Sequence, residues 1–133
     1  MERREIGSGK LPSLGFPWAL HLKDVKEWLF ISGVPPMDEA GKVVGGDLVE
    51  QFRYSVERIK ELLAGAGMSP GDVVYLTVTV TEKADLYREW ERFGRAYLEA
   101  FPPGGGPAGG TLRIAKGLSH PKMLVEVEAV AAR

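Results

Sequence analysis

The chain has 133 residues, the size of one domain, and its 44% apolar and 26% charged content is ordinary for a chain that buries its own core. Seventeen basic residues stand against 18 acidic ones, so no strong net field draws in nucleic acid or anionic lipid. Cysteine is absent, which removes disulfide scaffolds, thiol nucleophiles and Cys-ligated metals together. The longest uncharged stretches reach 12 residues and contain prolines, well short of the roughly 20 apolar residues of a membrane span. No apolar leader follows Met1, so the reading is a cytoplasmic protein. Asparagine is missing and Gln51 is the single glutamine, a depletion of thermolabile amides that points to a hot source.

No repeat or linker divides the chain, so residues 1–133 read as a single domain. Residues 11–18 hold two prolines and two aromatics and read as an irregular entry. Residues 28–32 read as a short, mostly buried strand ended by Gly33 and the Pro35-Pro36 pair. Asp47 is a helix N-cap with Glu50 three residues on, as in a capping box. Leu48, Phe52, Val56, Ile59 and Leu63 then recur at spacings of three and four, one face of an amphipathic helix that ends near Gly65 and Gly67.

Residues 73–81, dominated by β-branched side chains, form the clearest strand, with Val74, Leu76, Val78 and Val80 toward the core. A second helix is expected from about residues 83–85, carrying Leu86, Trp90, Phe93, Tyr97 and Phe101 on one face and stopped by Pro102. A glycine-rich connector, 104–110, leads to strands at 111–115 and 123–131. The order strand, helix, strand, helix, strand, strand predicts an α+β fold, a mixed sheet with two helices on one face.

Several features that carry chemistry elsewhere do not assemble here. The 104–110 glycines lack the following Lys-Ser/Thr of a phosphate loop and sit after a helix. His21 and His120 are the only histidines, and no spacing suggests a metal site. None of the six serines lies in a Gly-x-Ser-x-Gly elbow, although Ser32 ends a strand beside a glycine, where a side chain can face a cleft. Glu126 and Glu128 alternate with Val125 and Val127, which puts both carboxylates on one sheet face. That face is either solvated or covered by another subunit; if covered, a carboxylate there can act as a general base. Arg113 and Lys116 are its candidate salt-bridge partners or substrate anchors.

The segments Ile31-Ser32-Gly33-Val34-Pro35, Gly41 to Asp47, Gln51, Ile59-Lys60, Leu63 to Gly67, Gly71 to Val74 and Thr77 to Thr81, with the closing Val125 to Ala131, resemble the Rid superfamily. This family is also called YjgF-like, reactive intermediate deaminase or endoribonuclease L-PSP, and the likeness runs from about Pro17 to Ala131. It implies a chorismate-mutase-like α+β fold, a homotrimer with small-molecule clefts between subunits, and no cofactor. It further implies hydrolysis of 2-imino or 2-enamino acids to 2-keto acids and ammonia.

Glu126 stands at the family's water-positioning glutamate, and Ser32 and Gly33 match its cleft-lining pair. Trp18 takes a position usually held by tyrosine, and Trp90 one often held by asparagine. The arginine that grips the substrate carboxylate aligns with Gly109, two residues before Thr111; Arg113 lies four residues on, roughly 13 Å along the strand. Alternatives to a deaminase are a non-catalytic ligand-binding or regulatory trimer and, against the near-neutral charge, a ribonuclease or translation inhibitor.

Overall fold

A computed structural model describes residues 1–10, 16–102 and 109–133, with the backbone alone at 8–10. Six strands and two helices follow in chain order: β1 Glu2–Lys10, β2 Pro17–Lys23, β3 Trp28–Val34, α1 Leu48–Gly65, β4 Val73–Thr81, α2 Trp90–Ala100, β5 Gly110–Ala115 and β6 Val125–Ala132. β1 and β2 pair antiparallel as a separate ribbon, and the other four form a mixed sheet ordered β3-β6-β4-β5. β6 runs antiparallel to both β3 and β4, while β4 and β5 are parallel. β3-α1-β4 is therefore a βαβ unit split by the last strand of the chain. The α+β class and the two-helix, mixed-sheet architecture agree with the expectation from sequence.

The helix α1 forms where its periodicity predicts, and its start shows why. Asp47 accepts a hydrogen bond from the Glu50 backbone N–H at 2.9 Å. The Glu50 carboxylate reaches back to the Gly46 N–H at 2.7 Å, one residue beyond the reciprocal bond of a capping box. The Glu50 N–H holds the Asp47 carboxyl below its ordinary value of 3.8; partial burial opposes this, and Arg92 adds to it. Because the folded-state value is the lower one, the stabilisation is complete above about pH 4 and is lost as pH falls through the folded value. Unfolding followed between pH 6 and 2 should show wild type losing stability more steeply in acid than Asp47→Asn.

The apolar stripe of α1, with Phe52, Val56, Ile59 and Leu63, packs on one sheet face beside Ile31, Leu76, Val78, Val127 and Ala129. α2 joins the same layer through Phe93, which meets Phe52 edge-on at 4.9 Å. Tyr97 is buried there, and burial pushes its hydroxyl pKa up. α2 starts later than expected. Residues 82–84 form a single tight turn, and Asp85 enters the left-handed region at φ 49°. A left-handed residue cannot continue a right-handed helix, so Leu86 is buried ahead of α2 instead of on it.

Gln51, the one amide, is buried and fully engaged. Its Nε2 donates to the Gly45 and Lys122 carbonyls at 3.1 and 3.0 Å, and its Oε1 accepts from the Leu124 N–H at 2.7 Å. It thereby ties the loop before α1 to the segment that launches β6. Gln51→Leu leaves those three backbone groups without partners and should cost about 2–4 kcal/mol, read as a lower denaturant midpoint.

The sequence reading missed β1 altogether. It placed an irregular segment where β2 begins at Pro17; residues 11–15 of that segment lie outside the described residues, as do 104–108 of the glycine-rich connector. Arg3 donates to the Gly71 carbonyl at 2.8 Å and so ties the ribbon to the turn before β4. β3 is also less buried than expected: Trp28 is 52% and Phe30 74% exposed, on the face turned away from the helices. No helix among the described residues is long and apolar enough to cross a membrane.

Candidate functional site

The helices cover one face of the sheet, and the other face carries the candidate chemistry. Register places Glu126 opposite Thr79, and Thr79 opposite Arg113. The next row holds Glu128, Thr77 and Thr111, and a third holds Phe30, Val130 and Tyr75. Directly opposed residues share a face, so both glutamates sit on the helix-free side, as their alternation predicts. Val125 and Val127 are fully buried on the other side.

Between Ile31 and Val34 the register of β3 against β6 slips by one residue. The slip is a β-bulge at Ser32 and Gly33, a device that re-aims a strand locally. Its effect is direct: a Cβ built on Gly33 would stand 2.8 Å from the Glu126 carboxyl carbon and 3.0 and 3.1 Å from its two oxygens. The carboxylate thus rests in the space that a side chain at position 33 would fill. Glu126 is half-buried, and among the described residues no hydrogen bond or ion pair engages its carboxylate. Ser32 is exposed at the edge of the sheet, lining with Gly33 a cavity of about 600 Å³ that also takes in Met37, Arg58 and Leu62.

The remaining sequence-predicted residues divide into groups. Thr111 bonds to the Tyr75 hydroxyl. Arg113 is exposed and in register with Glu126, two strand spacings or about 10 Å away with Thr79 between. Neither Arg113 nor Lys116 forms the expected ion pair with a glutamate among the described residues, because the intervening strand keeps the side chains apart. Trp90 opens α2 and packs 6.4 Å from Phe93, in the helical layer and away from the Glu126 face. Among the described residues no group of three or more potential ligands could hold a metal ion. His120 instead accepts the Lys122 N–H through Nδ1 at 3.0 Å.

Trp18 and Gly109 meet at the other end of the same face. They line a cavity of about 370 Å³ between β2 and the sheet, together with Trp28, Tyr75 and Val130. Gly109 is buried, and its carbonyl accepts the Leu76 N–H at 3.0 Å. A Cβ there would make ordinary contacts, 3.4 Å to both Tyr75 Cδ2 and the Val74 carbonyl oxygen. Gly110 is different, since its Cβ would fall 2.6 Å from both the Leu76 carbonyl oxygen and Phe16 Cζ. Position 110 must be glycine for the backbones to approach; position 109 need not be.

Trp28, Tyr75 and Val130 were not singled out from sequence, yet a signal was present. Counting in twos from Glu126 through Glu128 reaches Val130, and Tyr75 shares the parity of Thr77 and Thr79.

These features define a small split-βαβ domain that presents carboxylates and a bulge on its helix-free sheet face. The chain belongs to the Rid superfamily: residues 17–133 match the family described as Endoribonuclease L-PSP. A RutC family protein of Pyrococcus abyssi is 33% identical over 98% of each chain. The 3-aminoacrylate deaminase RutC of Acinetobacter baylyi is 34% identical over 77% of each. Among solved structures, the Rid-family protein YyfB of Yersinia pestis is 32% identical and superposes over the full length of both chains with a TM-score of 0.78.

Proposed function

We propose that this protein is a cofactor-independent imine and enamine deaminase, hydrolysing 2-imino or 2-enamino acids to 2-keto acids and ammonia. The observation that carries the reading is the Glu126 carboxylate, seated against Gly33 and without a protein partner among the described residues. Hydrolysis of an imine consumes one water: the carbon–nitrogen double bond breaks, a carbonyl forms in its place and the nitrogen leaves as ammonia. A carboxylate positioned beside the imine carbon takes a proton from the attacking water and returns it to the departing nitrogen. Ser32 and Gly33 border this position at the bulge. Trp18, Trp90, Thr111 and Arg113 contribute to a cleft that is completed between subunits of a chorismate-mutase-like homotrimer. The 3-aminoacrylate deaminase relative supports the reaction class.

Position 109 qualifies the substrate. With glycine where the family's carboxylate-binding arginine aligns, small imino acids lose a charged anchor, an interaction commonly worth several kcal/mol when desolvated. The same observation favours a second reading, a trimer that binds a small ligand without turning it over. The deciding experiment generates 2-aminoacrylate and 2-iminobutanoate in situ with a dehydratase and follows keto-acid release. Light scattering gives the mass in the same samples, expected at three times the 14.5 kDa of the chain. Faster release with added protein supports the deaminase; no acceleration, with saturable binding of the keto acids, supports the binding protein. A monomer removes the inter-subunit cleft from both.

A further inference from the structure

We infer that the cavity at Gly109 is a binding site for an aromatic or similarly apolar side chain of the substrate, which replaces the carboxylate grip as the main source of affinity. The inference rests on the deaminase reading for the chemistry and names the substrate class: a 2-imino acid carrying a ring on a short chain.

Three observations converge. All eleven described residues lining the cavity are uncharged, and Trp18, Trp28 and Tyr75 present ring surface to it. At about 370 Å³ it falls within the range of small-molecule sites. Both walls come from this chain, Trp18 and Leu20 from β2 and Trp28, Tyr75 and Val130 from the sheet. The space is thus an internal cleft of the protomer and not a protruding patch that a second copy would cover.

Position 109 is the key to its character. A side chain fits there sterically, since the Cβ would make only van der Waals contacts with Tyr75 and Val74. Glycine leaves that volume open and keeps charge out of it. An isolated carboxylate gains nothing from such a lining, because it would shed water without acquiring a partner. A ring gains from its full apolar area. The chain length of the substrate follows from the sheet. Val130 at the cavity and Glu126 lie on one face, four residues apart along β6, or about 13 Å. A three- or four-carbon imino acid cannot both fill the cavity and reach that carboxylate, whereas a ring on an extended chain bridges more of the gap.

The test compares three stable product analogues on the intact protein: 2-oxobutanoate, 2-oxo-4-phenylbutanoate and uncharged 4-phenylbutan-2-one. Binding is followed by the indole N–H resonances of the three tryptophans. The two phenyl compounds should bind within about threefold of each other and roughly thirty- to a hundredfold more tightly than 2-oxobutanoate. They should move the Trp18 and Trp28 signals and leave Trp90 in place. Gly109→Leu, which fills the cavity, should abolish the preference, and Gly109→Ala, the smaller step, should weaken it in a protein that still folds. Equal binding of 2-oxobutanoate, a response at Trp90 alone, or no effect of either variant overturns the inference. So do Trp18 and Trp28 signals that respond to protein dilution and not to ligand, since a second copy then covers them. Turnover separates the two readings. Ring ligands that bind here without hydrolysis of any imine sink the deaminase and leave the site. Hydrolysis of small imines without ring binding does the reverse.

Discussion

Replacing Glu126 by glutamine should lower imine hydrolysis by about 10²–10⁴-fold, the usual contribution of a positioned general base, while the protein unfolds at an unchanged denaturant midpoint. The second half of this expectation comes from the surroundings of the side chain. Its carboxylate is half-buried against Gly33 and makes no hydrogen bond or ion pair among the described residues, so an isosteric amide removes no favourable contact. A residue kept for stability would behave oppositely, with a shifted midpoint and a rate loss that follows the folded fraction. Glu126→Asp refines the result: it keeps the base but withdraws it by one methylene, and should recover part of the rate. Keto-acid release and urea unfolding on the same preparations check both halves. Equal rates in wild type and Glu126→Gln would remove this residue from the chemistry.

Gly33→Ala should reduce the same activity by about a hundredfold with little loss of stability, a penalty of the size expected when a reacting group is displaced by about 1 Å. The added methyl would stand 2.8 Å from the Glu126 carboxyl carbon, closer than packed atoms approach, so one group must move. The carboxylate is the far end of a flexible side chain, and it yields before the backbone does. The rate therefore falls because the base is misplaced and not because the fold is damaged. Combining Gly33→Ala with Glu126→Gln supplies the control: once the carboxylate is gone, the methyl should cost little more, a non-additivity expected of residues in contact. Full additivity would mean that position 33 acts by some other route.

Both predictions depend on a contact between residues far apart in the chain, and this is where sequence and tertiary structure divide. The amphipathic spacing of Leu48 to Leu63 specifies α1 without outside help, because one helical face collects the apolar side chains and Asp47 caps the start. Strand β4 is equally local, its β-branched run being suited to a pleated, buried surface. The alternation of Glu126 and Glu128 with valines determines that the two carboxylates share a face, since the side-chain period of a strand is two. The order of these elements is enough to limit the architecture to two helices on a mixed sheet.

What alternation does not contain is which neighbour each strand receives. In residues 28–34 an apolar run reads as buried on both sides, and only pairing with β6 alone, at the sheet edge, leaves Trp28 and Phe30 exposed on the helix-free face. The charged, glycine-punctuated residues 2–10 carry no strand pattern of their own; they pair because β2 offers them a ladder. The late start of α2 follows from the left-handed backbone at Asp85, a conformation fixed by its turn. Above all, the one-residue slip at Ser32 and Gly33 exists only in the pairing of two strands, and it is that slip which seats the Glu126 carboxylate. Composition and periodicity determined the elements and the face on which the glutamates lie. Long-range register decided which glycine gives one of them its place, because a bulge is a relation between two strands and neither contains it alone.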